Sequence, residues 1–259
     1  EDPAQWNPET GKINYNRSGL PLIEIVTEPQ FHDSEQVVKW LKDLLLSLSY
    51  IKAVRKNAGI KVDVNVSTYG ERVEMKNLNS LEKIRKAIDY EVLRQIENHK
   101  EGIFQKRETL AFDEKLGKTV KMREKEGAAD YRFIPDPDLP VLKIDSKMIK
   151  DIEKSLPEMP EKKLEKLLKK YKIGEKYAKI LSSNLELVEF FEELVNEGID
   201  PAEHLSWVTI ELLRVLNYNK KSLEDADVDI RPVHLAELIK MVDSGKITVL
   251  KGKQAMNDF

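Results

Sequence analysis

Two carboxylates, an amide, a hydroxyl and three cations recur at every second position of two adjacent stretches of this chain. Lys61, Asp63, Asn65 and Ser67 alternate with Ile60, Val62, Val64 and Val66. Arg72, Glu74 and Lys76 then alternate with Val73 and Met75, and only Thr68-Tyr-Gly-Glu71 separates the two runs. Successive side chains of a strand point to opposite faces, so the pattern predicts a β-hairpin with one apolar and one polar face. Hard oxygen donors mixed with cations are what a phosphate group and its divalent counter-ion require. A merely solvated sheet face would show the same alternation.

A third stretch, Gly19-Leu-Pro-Leu-Ile-Glu-Ile-Val-Thr-Glu28, reads as a strand covered on both sides, with Glu24 embedded between apolar neighbours. A carboxylate there is costly unless it is paired, hydrogen-bonded or metal-bound. Glu24 is therefore a ligand or base on one reading and half of a structural ion pair on the other. Arg107–Asp113 and Lys118–Arg123 read as a second hairpin around Leu116-Gly117. Its Lys121, Arg123 and the following Lys125 suit an anionic substrate or an exposed edge. In Asp130-Tyr-Arg-Phe-Ile-Pro-Asp-Pro-Asp-Leu-Pro140 the prolines fix an extended path. Tyr131 and Phe133 can anchor one side of it while Arg132 points to the other, as a pocket wall or as a strap closing the domain.

These residues need a scaffold. Asp33 and Gln36 are spaced as a capping box ahead of an apolar stripe, Val37, Leu41, Leu44, Leu45 and Leu48. A second helix follows Ser80, with Leu81, Ile84, Ile88, Val92 and Ile96 inward. Helix, hairpin, helix and further extended chain predict an α+β first domain over 1–145. After Pro160 strand signals cease, and helices fit 161–171, 174–181, 185–197, 201–216 and 232–244, an all-α domain over 146–259. Gly245 reads as a C-cap, and His204 and His234 as cap or surface residues. No Gly-x-Gly-x-x-Gly or Walker A sequence is present, so the two standard loop-based nucleotide sites are absent.

The 259 residues are 41% apolar and 34% charged, enough for a core in each of two domains. The absence of cysteine excludes disulfides, thiolate chemistry and Cys-ligated metals. With no apolar run approaching a membrane span and no signal segment, the expectation is a soluble, cytoplasmic protein. The opening Glu1-Asp-Pro reads as the middle of a domain, and hence as a piece of a longer chain. The net charge of −3 hides an asymmetry. Ser146–Leu181 holds 11 lysines against 6 acids, a balance of +5, and Ser182–Gly245 holds 14 acids against 5 basic residues, a balance of −9. The lysines suit nucleic-acid phosphates or a solvated helical face; the acidic segment is expected to face solvent or another protein.

Asn16-Arg-Ser-Gly-Leu-Pro-Leu-Ile-Glu-Ile-Val-Thr-Glu-Pro29, Asp63-Val-Asn-Val-Ser67, Arg72-Val-Glu-Met-Lys-Asn-Leu-Asn-Ser80 and the Asp130–Pro140 stretch closely resemble the B subunit of the glutamyl/aspartyl-tRNA amidotransferase family. The likeness spans essentially the whole chain. It implies a cradle domain related to the glutamine synthetase fold, incomplete here at its N-terminus, then a helical domain ending at the start of a truncated helical tail. It also implies ATP- and Mg²⁺-dependent activation of the carboxylate on Glu-tRNA(Gln) or Asp-tRNA(Asn). The implied partners are an amidase, the A subunit, which supplies ammonia, and a small C subunit. Glu24 matches the glutamate of the family's Pro-Leu-Ile-Glu-Ile-Val motif and is implied as a metal ligand. Glu1-Asp2 resembles the end of the family's His-Leu-Glu-Glu-Asp motif, which implies a further acidic ligand at Glu1 or just before it.

On this resemblance Asp63 is assigned to metal and catalysis, and Glu74 and Lys76 to catalysis, as is Glu24. Asn65, Ser67, Arg72, Lys76 and Arg132 are assigned to the nucleotide. The family's histidine-containing N-terminal strand has no counterpart, so the chain alone is expected to be inactive. A paralogous archaeal protein carries an inserted domain that is not found here. The competing reading is a non-catalytic tRNA-binding or scaffolding member of the same type of complex.

Overall fold

Asp33 and Ser80 precede the two long helices of the first half, at the positions the sequence predicts. The computed structural model describes residues 5–7, 9–16, 23–54, 60–122 and 140–257, with only the backbone of residues 5 and 6. A small hairpin pairs β1 (Gln5–Trp6) with β2 (Ile13–Asn14). In α1 (Ser34–Tyr50) the Asp33 carboxylate accepts from Gln36 N at 2.7 Å. Gln36 Oε1 in turn accepts from His32 N at 3.1 Å, so the cap reaches one residue further back than a capping box does. Ser80 Oγ accepts from Lys83 N at 3.2 Å to begin α2 (Leu81–Lys100).

Both predicted hairpins are present, as β3 (Val62–Val66) with β4 (Val73–Leu78) and β5 (Glu108–Asp113) with β6 (Lys118–Lys121). They join in one sheet of order β3-β4-β5-β6, in which β4 and β5 run parallel with α2 as the crossover between them. Val66, Val73, Met75, Leu78, Leu110 and Phe112 face α2 and α1, where they meet Leu41, Ile84, Ala87 and Ile88. The other sheet face is polar. This α+β unit precedes an all-α half, as the sequence predicts.

The strand expected over 19–28 is not found in its described part. Residues 23–28 have no regular structure and all are exposed, Glu24 included. A strand exists only by hydrogen-bonding to a neighbour, and none of the described strands pairs with this segment. Glu24 is therefore not embedded between covered faces among the described residues.

The second half contains α3 (Ser146–Ser155), α4 (Pro160–Lys169), α5 (Glu175–Ser182) and α6 (Leu185–Asn196). A π-helical turn, Trp207–Leu212, leads into α7 (Leu213–Tyr218), followed by α8 (Pro232–Asp243) and α9 (Val249–Ala255). The helix predicted over 201–216 thus starts later and changes pitch, and α3 and α9 are additional to the predicted helices. Leu181, Val188, Phe191, Leu194, Val208, Leu212, Leu235 and Ile239 form the centre of the helical core. All of α3 is exposed.

The acidic segment does not simply face outward. Glu192 lies 2.5 Å from Lys163 and 2.7 Å from Lys166. Burial pushes its carboxyl up, but hydrogen bonds from the two lysines outweigh burial and hold it below the usual range. Glu211 pairs with Lys253 at 2.7 Å and Arg214 at 3.0 Å, tying α9 to the π-helical turn. Buried charges persist only when paired, and that requirement turns these two acids inward.

The end of α1 belongs to the helical core. Tyr50 is buried among its side chains, and its hydroxyl donates to the Ser182 carbonyl at 2.7 Å. Burial, then the carboxylates of Glu189, Glu186, Glu192 and Glu161, push the phenol well above its ordinary pKa, so it stays a donor. Lys52 adds a pair to Glu186 at 3.4 Å. Tyr50→Phe removes one buried donor and strands the Ser182 carbonyl, a cost of about 1–2 kcal/mol. For a chain of this size that is a fall in Tm of roughly 2–6 °C, and an unchanged thermal midpoint would show the bond to be without weight.

Candidate functional site

The polar face of the sheet gathers the hairpin residues into two rows. Asn65 pairs with Glu74 across β3 and β4, and Glu74 pairs with Thr109 across β4 and β5. Thr109 Oγ1 donates to Glu74 Oε2 at 3.3 Å. One row away the register slips, because Val64 faces Met75 while Val62 faces Leu78. Lys76 and Asn77 therefore both oppose Asp63, a β-bulge. Asn77 accommodates it with φ of 63° and donates its backbone N–H to Asp63 Oδ1 at 3.1 Å.

Lys76 Nζ stands between the two carboxylates, 3.4 Å from Glu74 Oε1 and 3.9 Å from Asp63 Oδ2. All three side chains are about a third exposed, and such pairs contribute only about 0–1 kcal/mol. Lys76 is consequently free to leave the carboxylates for a stronger anion. Arg72 and Asn65 are exposed beside them. Ser67 is turned onto its own loop, with Oγ donating to the Gly70 carbonyl at 3.1 Å. The alternation thus brings Asp63, Asn65, Glu74 and Lys76 together, while Arg72 stays outside the ion pairs, among the described residues.

Glu1 and Arg132 lie outside the described residues, as do Arg123 and Lys125. Lys121 pairs with Leu110, whose side chain is in the core. Directly paired residues share a face, which places Lys121 on the opposite side of the sheet from Glu74. Among the described residues no three His, Asp or Glu side chains converge on one point. The donor set on the polar face suits Mg²⁺ and phosphate in kind, since it offers carboxylate, amide and hydroxyl oxygens next to cations. In number it is incomplete among the described residues.

Sequence reasoning missed the groups that hold this face in place. Glu91 of α2 has no solvent exposure. It accepts from Arg94 Nε and Nη2 at 2.9 and 2.7 Å, from Gln95 Nε2 at 2.7 Å and from Thr119 Oγ1 at 3.2 Å. Gln95 Oε1 accepts from both Thr68 N and Thr68 Oγ1 at 2.9 Å, and its Nε2 also reaches the Val66 carbonyl at 3.3 Å. The helix under the sheet thereby fixes the exit of β3 at the end of the polar face. A signal was available: Ile84, Ile88, Glu91 and Gln95 continue one helical stripe.

The lysine-rich helices are balanced only in part. Lys163, Lys166, Lys169 and Lys179 pair with carboxylates. Lys170 and Lys176 lie over the rings of Tyr171 and Tyr177 at 5.0 and 5.9 Å. Lys162 and Lys172 are exposed. Lys147, Lys150 and Lys154 are exposed along α3 at helical spacing, so the surplus of this segment is carried by those three with Lys162 and Lys172.

Residues 1–150 match the family model of the GatB/GatE catalytic domain, and residues 189–259 match that of the GatB domain. The chain is 40% identical over 260 residues to the B subunit of the aspartyl/glutamyl-tRNA(Asn/Gln) amidotransferase of Methanothermobacter thermautotrophicus, covering 100% of this chain and 57% of that protein. The protein of the same name from Methanobrevibacter smithii is 41% identical over 255 residues, with 98% and 56% covered. That from Elusimicrobium minutum is 38% identical over 252 residues, with 93% and 53% covered. The chain thus spans a little over half the length of these relatives.

Proposed function

The chain belongs to the GatB/GatE family, and on that premise we propose that it carries the carboxylate-activating part of a tRNA-dependent amidotransferase. The supporting observation is that Asp63, Glu74 and Lys76 share one polar sheet face inside the segment that matches the catalytic domain. The proposed substrate is Glu-tRNA(Gln) or Asp-tRNA(Asn), whose side-chain carboxylate is a poor acceptor for ammonia. An oxygen of that carboxylate attacks the γ-phosphorus of ATP and ADP leaves. Ammonia then attacks the acyl carbon, phosphate departs, and loss of a proton gives the amide. The proposed partners are an amidase, the A subunit, which releases the ammonia, and a small C subunit, in the cytoplasm. Among the described residues no helix is long and apolar enough to cross a membrane.

Residues 1–145 form the proposed catalytic cradle, of the glutamine synthetase type, and 146–259 the helical part. Bound Mg²⁺ would offset the charge that builds on the phosphoryl oxygens; Glu24, Asp63 and Glu1 are the proposed residues to hold it. Lys76 leaves Glu74 and Asp63 and takes a phosphate oxygen, a move that its weak surface pairs permit. Arg72 and Arg132 add positive charge to the nucleotide's anions, and Asn65 and Ser67 offer hydrogen bonds. Thr109 keeps the Glu74 carboxylate oriented on the sheet.

In the complete complex, Asp63→Asn and Glu74→Gln are expected to lower amidation of mischarged tRNA at least tenfold while glutamine hydrolysis by the partner continues. Glu24→Gln is expected to do the same. Wild-type rates in all three would remove the assignment. Tight, metal-independent tRNA binding with no ATP turnover by the complete protein would favour the scaffolding reading instead.

A further inference from the structure

We propose that the tip of the β3–β4 hairpin is a stacking ledge for an unpaired base of the RNA substrate, with Tyr69, His99 and Phe104 as its platform. The proposal rests on the functional reading above and adds a contact site to it.

Tyr69 sits in the turn between the two catalytic-face strands. Its ring stacks on His99 of α2 with centroids 4.0 Å apart and planes 7° apart. Phe104 meets His99 edge-on at 5.3 Å and 71°. Three rings gathered this way would ordinarily be core, yet Tyr69 is 44% exposed and Phe104 66% exposed. Ile103 beside them is exposed as well. The ledge is also rigid. Gln105 N donates to the Tyr69 carbonyl at 3.3 Å, and Glu71 N donates to the Gln105 carbonyl at 2.9 Å. Gln95 grips Thr68 from below, and Arg107 N donates to Glu71 Oε2 at 2.9 Å.

Lys100, Lys106 and Arg107 are exposed within a few residues of His99 and Phe104 in the chain, with Glu97 and Glu101 among them. A rigid, exposed aromatic face next to separate cations is the chemistry that holds single-stranded nucleic acid, where a base stacks and the backbone phosphates meet lysine or arginine. A free nucleotide's base is instead taken by a concave site that buries most of its surface, and rings open to solvent at a hairpin tip do not provide one. The RNA single strand is therefore the occupant that this surface favours.

The test uses the complete complex and an RNA minihelix with a single-stranded 3′ end carrying 2-aminopurine at its last position. Phe104→Ala and Tyr69→Ala are each expected to raise the Kd for this RNA about 5- to 100-fold, the range of one lost stacked base. They should also abolish quenching of the 2-aminopurine, whereas ATP affinity stays at the wild-type value. Phe104→Leu, which keeps apolar bulk without a ring, should behave like alanine. Tyr69→Phe and Phe104→Trp should bind as well as wild type or better, and the unchanged ATP affinity of the alanine variants shows that folding is not the cause of their loss. Unchanged RNA binding in both alanine variants overturns the ledge while leaving the functional reading intact. A loss of ATP affinity in place of RNA affinity also overturns it and gives the rings to the nucleotide. Absence of RNA binding and of amidation in the wild-type complex would instead bring down the functional reading itself.

Discussion

Glu91→Leu is expected to cost the sheet domain about 3–5 kcal/mol, the range for removing one partner of a buried ion pair. The carboxylate is fully buried and accepts hydrogen bonds from Arg94, Gln95 and Thr119. Its loss strands a guanidinium that is one-quarter exposed and retains only Glu108, at 3.5 Å. Partial solvent access to Arg94 places the expectation toward 3 rather than 5. Replacing both partners, as Glu91→Leu with Arg94→Leu, should recover part of the loss, because an apolar pair leaves no buried charge unpaired. Two cores in one chain make a single unfolding transition unsafe to assume. The measurement is urea unfolding followed by fluorescence in a Trp6→Phe, Trp207→Phe background, which leaves Trp40 on the sheet core as the single reporter, since Trp207 lies in the helical core. A shift below about 1 kcal/mol would mean that the network is replaceable by water, and that it does not hold β3 in place.

The same network shows where the sequence was readable and where it was not. Alternation along β3 and β4 was legible because one face is buried and the other is not, so each position carries its orientation in its residue type. Asp33 and Ser80 were legible as helix starts because capping is local chemistry. The bulge opposite Asp63 left one trace, a break in alternation from Val73 and Met75 to Leu78, but which residue of β3 it opposes is set by the pairing of the strands. It nevertheless decides the site, because it brings Lys76 and the Asn77 N–H to the Asp63 carboxylate. Glu91 and Gln95 continue the buried stripe of α2 in the sequence, but the groups they hold are set by the sheet laid over them. Tyr50 lies beyond the last residue assigned to the α1 stripe, and only its long-range bond to Ser182 shows that it serves the other core. Glu24 marks the opposite failure: its apolar neighbours suggest a covered strand, and coverage depends on a neighbouring strand that local pattern cannot supply.

The polar face and the hairpin tip are mechanically one unit, and Gly70 is the point at which this can be tested. It has φ of 107°, and a Cβ built there would lie 2.6 Å from the Gln105 carbonyl oxygen and 2.9 Å from Gln105 N. Those atoms are backbone and cannot rotate away as a side chain end would. Gly70→Ala therefore combines a left-handed strain with a steric overlap, each of the order of 1–3 kcal/mol, for an expected loss of about 3 kcal/mol. Gly117 separates the two causes, because it too has positive φ, 62°, with nothing within 4 Å of its Cβ position. Gly117→Ala should cost only about 1 kcal/mol, the conformational part alone. Relief of the overlap at Gly70 requires the turn to move off Gln105, which breaks the bonds from Gln105 N to Tyr69 and from Glu71 N to Gln105. Amide hydrogen exchange at Glu71 and Gln105 should then accelerate in Gly70→Ala, while Gly117→Ala leaves those two amides protected. Because Tyr69 precedes Gly70, the displacement should also separate its ring from His99. Equal stability of the two alanine variants would show that the tip is loosely held, and a loosely held tip could neither keep the ledge rigid nor set the height of the Asp63–Glu74 face.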